Sequence, residues 1–134
     1  MQRSTNFGTE NVPIPFEVTR LNVGNAMNAA SGIFTAPKTG IYFFSFSGLG
    51  SSKSATFPQL YLNGILIGSG WADNIGSSDG ADDIPTFTLQ STVQLNAGDQ
   101  ISLKLDSWGT GFLWDDGNHY THFTGWLLQE DLPY

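Results

Sequence analysis

The sequence predicts an all-β domain, and three observations support that prediction. Gly, Ser, Thr and Asn contribute 50 of the 134 residues, whereas Lys and Glu contribute three each, so the chain holds little of the material that covers helix surfaces. Short apolar runs are separated by turn-forming residues, as in sandwiches and barrels. Aromatic residues make up 13% of the chain, which is typical of a packed core and not of a disordered segment.

The clearest predicted strand covers residues 40–47, GIYFFSFS. Its even positions Tyr42, Phe44 and Phe46 share one face, and its odd positions begin with Ile41 and Phe43 on the other. Both faces are therefore apolar, although a strand of a two-sheet sandwich meets the core on one face only. We expect the second face to be covered by another subunit.

The last predicted strand, over 120–129, repeats this two-faced pattern, with Phe123 and Leu127 opposite Trp126 and Leu128. The two strands predict an interface between subunits, and the interface candidates are Tyr42, Phe44, Phe46, Trp126 and Leu128.

The other strands are shorter and follow from alternation. The dipeptide Asn63-Gly64 predicts a hairpin, because both of its residues tolerate positive φ. Pro15 restricts the first strand to a sheet edge. The ranges are 14–18, 57–63, 65–67, 87–90, 93–95 and 101–105, and the glycine-rich range 108–118 is predicted to be a loop.

Composition excludes several classes of protein. The net charge of −7 argues against a nucleic-acid backbone or an anionic membrane as partner. The absence of cysteine excludes a disulfide scaffold, a cysteine-ligated zinc site and a cysteine nucleophile. No apolar run reaches the roughly 20 residues of a membrane-spanning helix, and residues 1–8 do not form the apolar run of a signal peptide.

Residues 16–46, FEVTRLNVGNAMNAASGIFTAPKTGIYFFSF, resemble the globular head domain of complement component 1q. Downstream, LYLNG from Leu60, GDQISLKL from Gly98 and FTGWLL from Phe123 match three later strands of that family in order and spacing. Met27 stands where the family usually has Tyr, and the usual Ala-Phe-Ser start of the first strand is missing. The matching positions are Phe16, Asn22, Gly24, Gly32, Phe34, Pro37, Gly40, Tyr42 and Phe44.

This resemblance implies a jelly-roll sandwich of about ten antiparallel strands, shared with tumour necrosis factor. It places the domain at residues 14–134, after a flexible lead-in or short edge strand at 1–13. It also implies a secreted homotrimer without enzymatic activity that binds extracellular proteins or glycans through surface loops, in a setting like innate immune recognition. The alternative is a structural trimerisation domain that nucleates a collagen-like or coiled-coil stalk.

Two motifs suggest catalytic or metal chemistry, and in both cases the local sequence favours a simpler interpretation. Residues 76–80, GSSDG, fit the G-x-S-x-G pattern of a hydrolase nucleophile, but the segment after Ser78 runs into Pro85 and cannot form the required helix. We expect Ser78 to be a turn residue. A possible metal cluster consists of Asp115, Asp116, His119 and His122. Histidines three residues apart on a strand point to opposite faces, however, so one metal ion cannot easily bind both.

Three carboxylates, Asp79, Asp82 and Asp83, lie within five residues. The resemblance implies calcium here, because several family members bind it at the trimer apex through the loop that precedes the strand equivalent to 91–95. Calcium accepts irregular sets of oxygen ligands, so three carboxylates with backbone carbonyls and waters would suffice. The alternative is a solvated acidic loop. No cofactor is otherwise required.

A calcium site at Asp79, Asp82 and Asp83 is tested by thermal unfolding in millimolar calcium and in chelator. A site that forms only in the folded state adds about 2.7 kcal/mol to the free energy of unfolding at a hundred times its Kd. We expect the melting temperature to rise with calcium and the rise to vanish in Asp82→Asn with Asp83→Asn. Identical curves for the parent chain, or a rise that survives both substitutions, would show a solvated loop instead.

Overall fold

The computed structural model describes residues 1–9, 12–16, 18–20, 22–50, 55–73, 85–106, 112–116 and 118–131, which contain eleven strands and no α-helix. The all-β prediction is confirmed, and the described part of the chain contains no helix long and apolar enough to cross a membrane. A 3₁₀ turn covers Val23–Asn25. The strands are β1 (Met27–Asn28), β2 (Ile33–Thr35), β3 (Gly40–Gly50), β4 (Ala55–Thr56), β5 (Pro58–Leu62), β6 (Ile65–Ser69), β7 (Ala72–Asp73), β8 (Thr86–Leu95), β9 (Gln100–Leu105), β10 (Leu113–Trp114) and β11 (His122–Glu130).

Two antiparallel sheets form the predicted jelly-roll sandwich. In the four-stranded sheet β3 is central, and β8 pairs along one of its edges. Along the other edge β11 and β10 both pair with β3, one after the other. The five-stranded sheet has the order β1-β2-β9-β5-β6, so β6 is an edge strand. β4 and β7 form a short separate ribbon. Every pairing is antiparallel, which lets each sheet present one face to the core and the other outward.

The alternation of β3 decides where the core lies. Tyr42, Phe44 and Phe46 are at most 2% exposed, whereas the odd positions of β3 are half-buried. Phe34 from the opposite sheet meets Phe44 edge to face at 5.2 Å between ring centroids, and Phe123 of β11 stacks on it at 6.0 Å. Such ring pairs add about 0.5–1.5 kcal/mol each beyond area burial. The other fully buried apolar side chains are Ile14, Phe16, Leu60, Leu95, Ile101, Leu103, Leu105 and Leu113.

The predicted β5–β6 hairpin is confirmed, with Asn63 at φ 49° and Gly64 at φ 82°. A neighbouring turn is held by Asp99, whose carboxylate accepts bonds from the Asn63 side chain at 3.1 Å and the Asn96 backbone N–H at 2.8 Å. These bonds, the Asn63 bond first, lower the pKa of Asp99. The pKa of Asp99 is therefore lower in the folded state than in the unfolded state. The bonds of its carboxylate stabilise the folded state fully above the unfolded-state pKa, and this stabilisation is lost as the pH falls through the folded-state pKa.

Residues 1–7 lie against the four-stranded sheet. Gln2 forms a bridge to His122 of β11, and Phe7 forms a bridge to Leu113 of β10. The backbone N–H of Phe123 also donates to the Met1 carbonyl at 2.9 Å. The described part of the predicted lead-in over 1–13 is therefore part of the sandwich.

Of the strand predicted over 14–18, residues 14–16 form no regular strand in the structure, and Val18 forms a single bridge with Gln2. The Ile14 N–H donates to the Leu103 carbonyl at 2.8 Å, while the Phe16 N–H donates to Ala29 at 2.9 Å. Pro15 lies between them and has no N–H to continue a ladder, which accounts for the missing strand. The alternation was still informative, because Ile14 and Phe16 are both completely buried.

Gly125 of β11 occupies a place that no larger residue fits. A Cβ at this position would lie 2.5 Å from Cδ1 and 2.7 Å from Cε1 of Phe44. Gly68 of β6 is a matched case without this conflict, since a Cβ there would meet Leu89 Cδ1 at 3.5 Å, an ordinary contact. The packing of Phe44 therefore depends on the missing side chain at Gly125.

Gly125→Ala should lower the free energy of unfolding by about 1–3 kcal/mol, because the Phe44 ring must move within a packed core. Gly68→Ala should be neutral, or stabilising by about 0.4–1 kcal/mol through the loss of unfolded-state entropy. Urea denaturation of both variants measures the difference. Equal stabilities for the two variants would contradict the close approach at Phe44.

Candidate functional site

The most distinctive surface is the outer face, defined as the side of the β3–β8–β11 sheet that points away from the core. At its centre Phe43 of β3 contacts Trp126 of β11, with ring centroids 4.8 Å apart. Trp126 is 50% exposed, and Leu128, at an irregularity of the β11 ladder, is 52% exposed. Large apolar side chains that are exposed next to one another mark a surface that binds a partner more often than a surface that faces only solvent.

The paired positions of the outer face hold no charged side chain. Cross-strand partners share a face, so the registers of β3 with β8 and β11 give its composition directly. None of these positions holds Asp, Glu, Lys or Arg, which is the depletion seen at the centres of protein interfaces. At the edge of the face, the Asp131 carboxylate accepts from Gln94 at 2.7 Å. The positions are Ile41, Phe43, Ser45, Ser47, Leu49, Thr86, Thr88, Gln90, Thr92, Gln94, His122, Thr124, Trp126 and Gln129.

The structure corrects part of the predicted interface. Tyr42, Phe44 and Phe46 lie inside the subunit's own core and are at most 2% exposed. Both faces of this strand are apolar, so the sequence pattern did not distinguish them. Trp126 is accessible on the outer face and Leu128 is exposed at the irregularity of β11, and their role in an interface stays a prediction.

A groove of about 480 Å³ opens between β11 and the β1–β2 edge of the other sheet, and Tyr42 and Phe44 are among its lining residues. The amino group of Met1 donates to the Phe123 carbonyl at 2.9 Å, and burial lowers the pKa of this amino group. At the rim, Arg20 Nε donates to Gln2 Oε1 at 2.8 Å. The described residues that line the groove include no acid, serine or cysteine.

The suggested metal cluster has another explanation among the described residues. Asp115 is 5% exposed, and its carboxylate accepts the backbone N–H groups of Asp116, Tyr120 and Thr121 at 2.7, 3.0 and 2.9 Å. His119 Nδ1 lies 3.0 Å from the Arg3 carbonyl oxygen. No group of three or more metal-ligating side chains occurs among the residues that the structure describes. Asp115 organises the turn that leads into β11.

The remaining predicted site residues, Ser78 and the calcium candidates Asp79, Asp82 and Asp83, lie outside the described residues. Calcium at this loop therefore stays a prediction from the sequence.

Sequence reasoning missed one exposed aromatic. Trp71 follows β6 and is 67% exposed on the five-stranded sheet, opposite the outer face. No local signal could have placed it on the outward side of the sheet, because the register of β6 against β5 shifts between Leu60 and Tyr61.

The sandwich matches a known family over almost its entire length. The family model of the C1q domain aligns with residues 1–128. The chain belongs to the C1q domain family. This confirms the resemblance found in the sequence, and the match also includes the N-terminal residues that pair with β10 and β11.

Two curated relatives show how the C1q domain occurs in longer proteins. Caprin-2 of Danio rerio is 34% identical over 131 residues, covering 96% of this chain and 14% of that protein. Complement C1q tumor necrosis factor-related protein 3 of Mus musculus and of Homo sapiens is 30% identical over 132 residues, covering 95% of this chain. The chain spans about half the length of the latter relatives, 49%, and a much smaller part of Caprin-2.

A solved structure supports the fold independently. The globular domain of the zebrafish complement 1qA protein superposes with a TM-score of 0.75, covering 97% of this chain and 94% of that one. The sequences are 16% identical over this match, so the likeness is one of fold.

Asp115→Ala should lower the free energy of unfolding by about 3 kcal/mol, because buried N–H groups of Tyr120 and Thr121 lose a charged acceptor. Asp115→Asn should cost less, since the amide oxygen still accepts. Asp131→Ala is the control, because this exposed carboxylate accepts from Gln94 at the surface and its loss should stay within about 0.5 kcal/mol. Denaturant unfolding measures all three, and an Asp115→Ala variant as stable as the parent would contradict the turn-organising role.

Proposed function

We propose that this C1q domain is a non-enzymatic recognition head that assembles as a homotrimer outside the cell and binds extracellular protein or glycan ligands. The observation that carries the proposal is the partly apolar outer face centred on Phe43 and Trp126, whose paired positions hold no charged side chain. C1q domains are a family of non-enzymatic modules, generally trimeric and extracellular. Membership of the family supports both parts of the proposal.

Threefold symmetry requires each subunit to use two different surfaces, because a closed ring is built from head-to-tail contacts. The outer face supplies one of them. The edge strand β6 supplies a second apolar surface, since Ile65, Leu66 and Ile67 are all exposed at the border of the five-stranded sheet. An apolar, unpaired edge strand is a liability in a monomer, and contact with a neighbouring subunit removes it.

Recognition, and not assembly alone, is favoured by the exposed Trp71. Trp71 lies beside the five-stranded sheet, away from the outer face. An exposed indole at this place adds nothing to a contact through the outer face, so it favours a ligand-binding role. In a trimer three copies of each binding surface act together, so weak contacts gain avidity.

The trimer is tested by light scattering coupled to gel filtration. The parent chain should elute with three times its mass of 14.5 kDa, and Trp126→Glu should shift the mass toward 14.5 kDa, because burying a carboxylate in an apolar contact is costly. Trp71→Glu is the matched control, since it adds the same charge at an exposed tryptophan on the other sheet, and it should leave the mass unchanged.

Circular dichroism confirms that both variants stay folded. A parent mass of 14.5 kDa at high protein concentration, or a dimer, would contradict the proposed assembly. Dissociation by Trp71→Glu but not by Trp126→Glu would contradict the part that the outer face plays in the assembly.

A further inference from the structure

The edge of β11 that faces away from β3 runs along the groove. Residues 1–3 pair with the beginning of this edge. The Met1 amino group donates to the Phe123 carbonyl, and the Phe123 N–H donates to the Met1 carbonyl, both at 2.9 Å. The Arg3 N–H donates to the Thr121 carbonyl at 3.3 Å, so the pairing is antiparallel. Among the described residues, no strand pairs with this edge beyond Phe123.

The backbone of Gly125 points into the groove. In an antiparallel ladder, alternate residues direct their N–H and C=O groups to the same side. Because these groups of Phe123 point away from β3, toward Met1, those of Gly125 two residues later also point away from β3. Gly125 is exposed and lines the groove. An open strand edge of this kind is a template for pairing with another chain.

The groove continues the line of the N-terminal segment beyond Met1. Gln2 of this segment exchanges two backbone hydrogen bonds with Val18, at 2.8 and 3.1 Å, on the side away from β11. Beyond Met1, β11 borders the groove on one side, and Arg20 and Met27 are among the residues that border it on the other. The volume of about 480 Å³ lies within the usual range of ligand clefts. A space bordered on both sides admits a single extended segment, whereas the edge strand of a folded copy brings its own sheet with it.

The inner side of the groove favours an apolar side chain opposite Gly125. A Cβ on Gly125 would point at the Phe44 ring, 2.5 Å from Cδ1, so this position belongs to the core side of the sheet. Cross-strand partners share a face, so a residue paired with Gly125 directs its side chain to the core side as well. Phe34 and Leu127 line the groove there and are half-buried. Met1, which pairs with β11 two positions earlier, likewise packs its side chain against the core.

The charge of the groove lies on its outward side. Arg20 is exposed, and its Nε donates to Gln2 Oε1 at 2.8 Å. Gln2 bridges to His122 of the outer face, so Arg20 lies at the end of the groove that is next to Met1. Within the part of the chain that the structure describes, Arg20 forms no ion pair, and no acid lines the groove. An acidic group on the ligand complements this cation.

We propose that the groove binds an extended peptide segment of a partner protein, which adds to β11 as an antiparallel strand. An apolar residue of the segment lies opposite Gly125, and an acidic residue lies next to Arg20. Main-chain bonds to Gly125 supply affinity, and the alternating side chains supply specificity. This inference rests on the proposed recognition role and deepens it by naming the ligand class. The described groove lies within one subunit, so peptide binding does not require the trimer.

The experiment is an NMR titration with the peptide acetyl-Thr-Leu-Thr-Leu-Asp-amide. Residues 124–127 line the groove, so about four residues of a strand fit beside them, with the second Leu opposite Gly125 and Asp at the Arg20 end. The peptide should shift the Gly125 N–H resonance in a saturable way. Hydrogen exchange of this N–H should slow about tenfold once about 90% of the sites are filled. The Gly98 N–H is the internal control, because it already donates to the Ala36 carbonyl and should not respond.

A modified peptide tests the main-chain bonds. N-methylation of the second Leu removes the N–H that donates to the Gly125 carbonyl and keeps every side chain. This peptide should bind about tenfold more weakly or worse, since the bond is lost and the methyl group meets the strand edge. Exchanging the Leu and Thr positions, as in acetyl-Leu-Thr-Leu-Thr-Asp-amide, turns the apolar side chains outward and should weaken binding to a similar extent.

Two variants of the protein test the charge. Arg20→Gln should weaken binding of the Asp peptide about two- to fivefold and leave binding of the corresponding Asn peptide within about twofold. Lys38→Gln is the matched control, since it removes an exposed cation that pairs with Glu130 and does not line the groove. It should leave the Kd of both peptides unchanged.

The proposal is overturned if the Asp peptide, up to millimolar concentration, leaves the Gly125 resonance in place, or if the N-methylated peptide binds as tightly as the parent peptide. It is also overturned if the Gly125 resonance shifts with protein concentration alone, which would assign the groove to a second copy of this chain. Equal loss of the Asp and Asn peptides in Arg20→Gln would contradict the acidic preference. Light scattering on the same samples reports the trimer separately. A trimer without peptide binding refutes this inference alone, and peptide binding by a monomer refutes only the proposed assembly.

Discussion

The structure depends on how β3 divides its aromatic residues between two faces. Tyr42, Phe44 and Phe46 point inward and form the floor of the core, and each large side chain buried this way contributes about 1.5–3 kcal/mol. Gly125 on the neighbouring strand leaves the space that the Phe44 ring occupies. Once these rings are inside, Phe43 must point outward, where it meets Trp126. The core and the outer face are therefore set by the same alternation.

The distribution of charge follows the same division. The paired positions of the outer face hold no charged side chain, and Asp131 lies at its edge, where its carboxylate accepts from Gln94 at 2.7 Å. The opposite sheet carries Lys104, whose ammonium lies 4.5 Å from the centroid of the Tyr61 ring, and Asp106 follows β9, with its carboxylate accepting from Gln59 at 3.1 Å. One sheet is thus suited to contact with a like subunit, whereas the other holds charged side chains.

The sequence was sufficient where the signal is local. Alternation predicted the strand at 40–47, and the dipeptide Asn63-Gly64 predicted the hairpin of β5 and β6. The motifs and their spacing predicted the family. It was insufficient where the outcome depends on distant partners. Both faces of β3 are apolar, so only contacts such as that of Phe34 with Phe44 decide which one is buried.

The same limit applied to the candidate sites. Asp115 lies in the range 108–118 that was predicted to be a loop, but its burial depends on the N–H groups of Asp116, Tyr120 and Thr121. It depends also on Asn6, whose side chain accepts the Asp115 N–H at 2.8 Å. The exposure of Trp71 depends on the register of β6, which shifts between Leu60 and Tyr61 and which local sequence does not encode. Long-range register is what the sequence pattern leaves undetermined.

The central claim is that the outer face of the β3–β8–β11 sheet lies between subunits. The chain has no cysteine, so single spin labels at Thr124→Cys on this face and at Ser102→Cys of β9, inside the opposite sheet, can be compared directly. Pulsed electron spin resonance should give a single inter-subunit distance for each, shorter for Thr124, since the two sheets of a sandwich lie about 10 Å apart. A shorter distance from Ser102, or no dipolar coupling at either site, would contradict the claim.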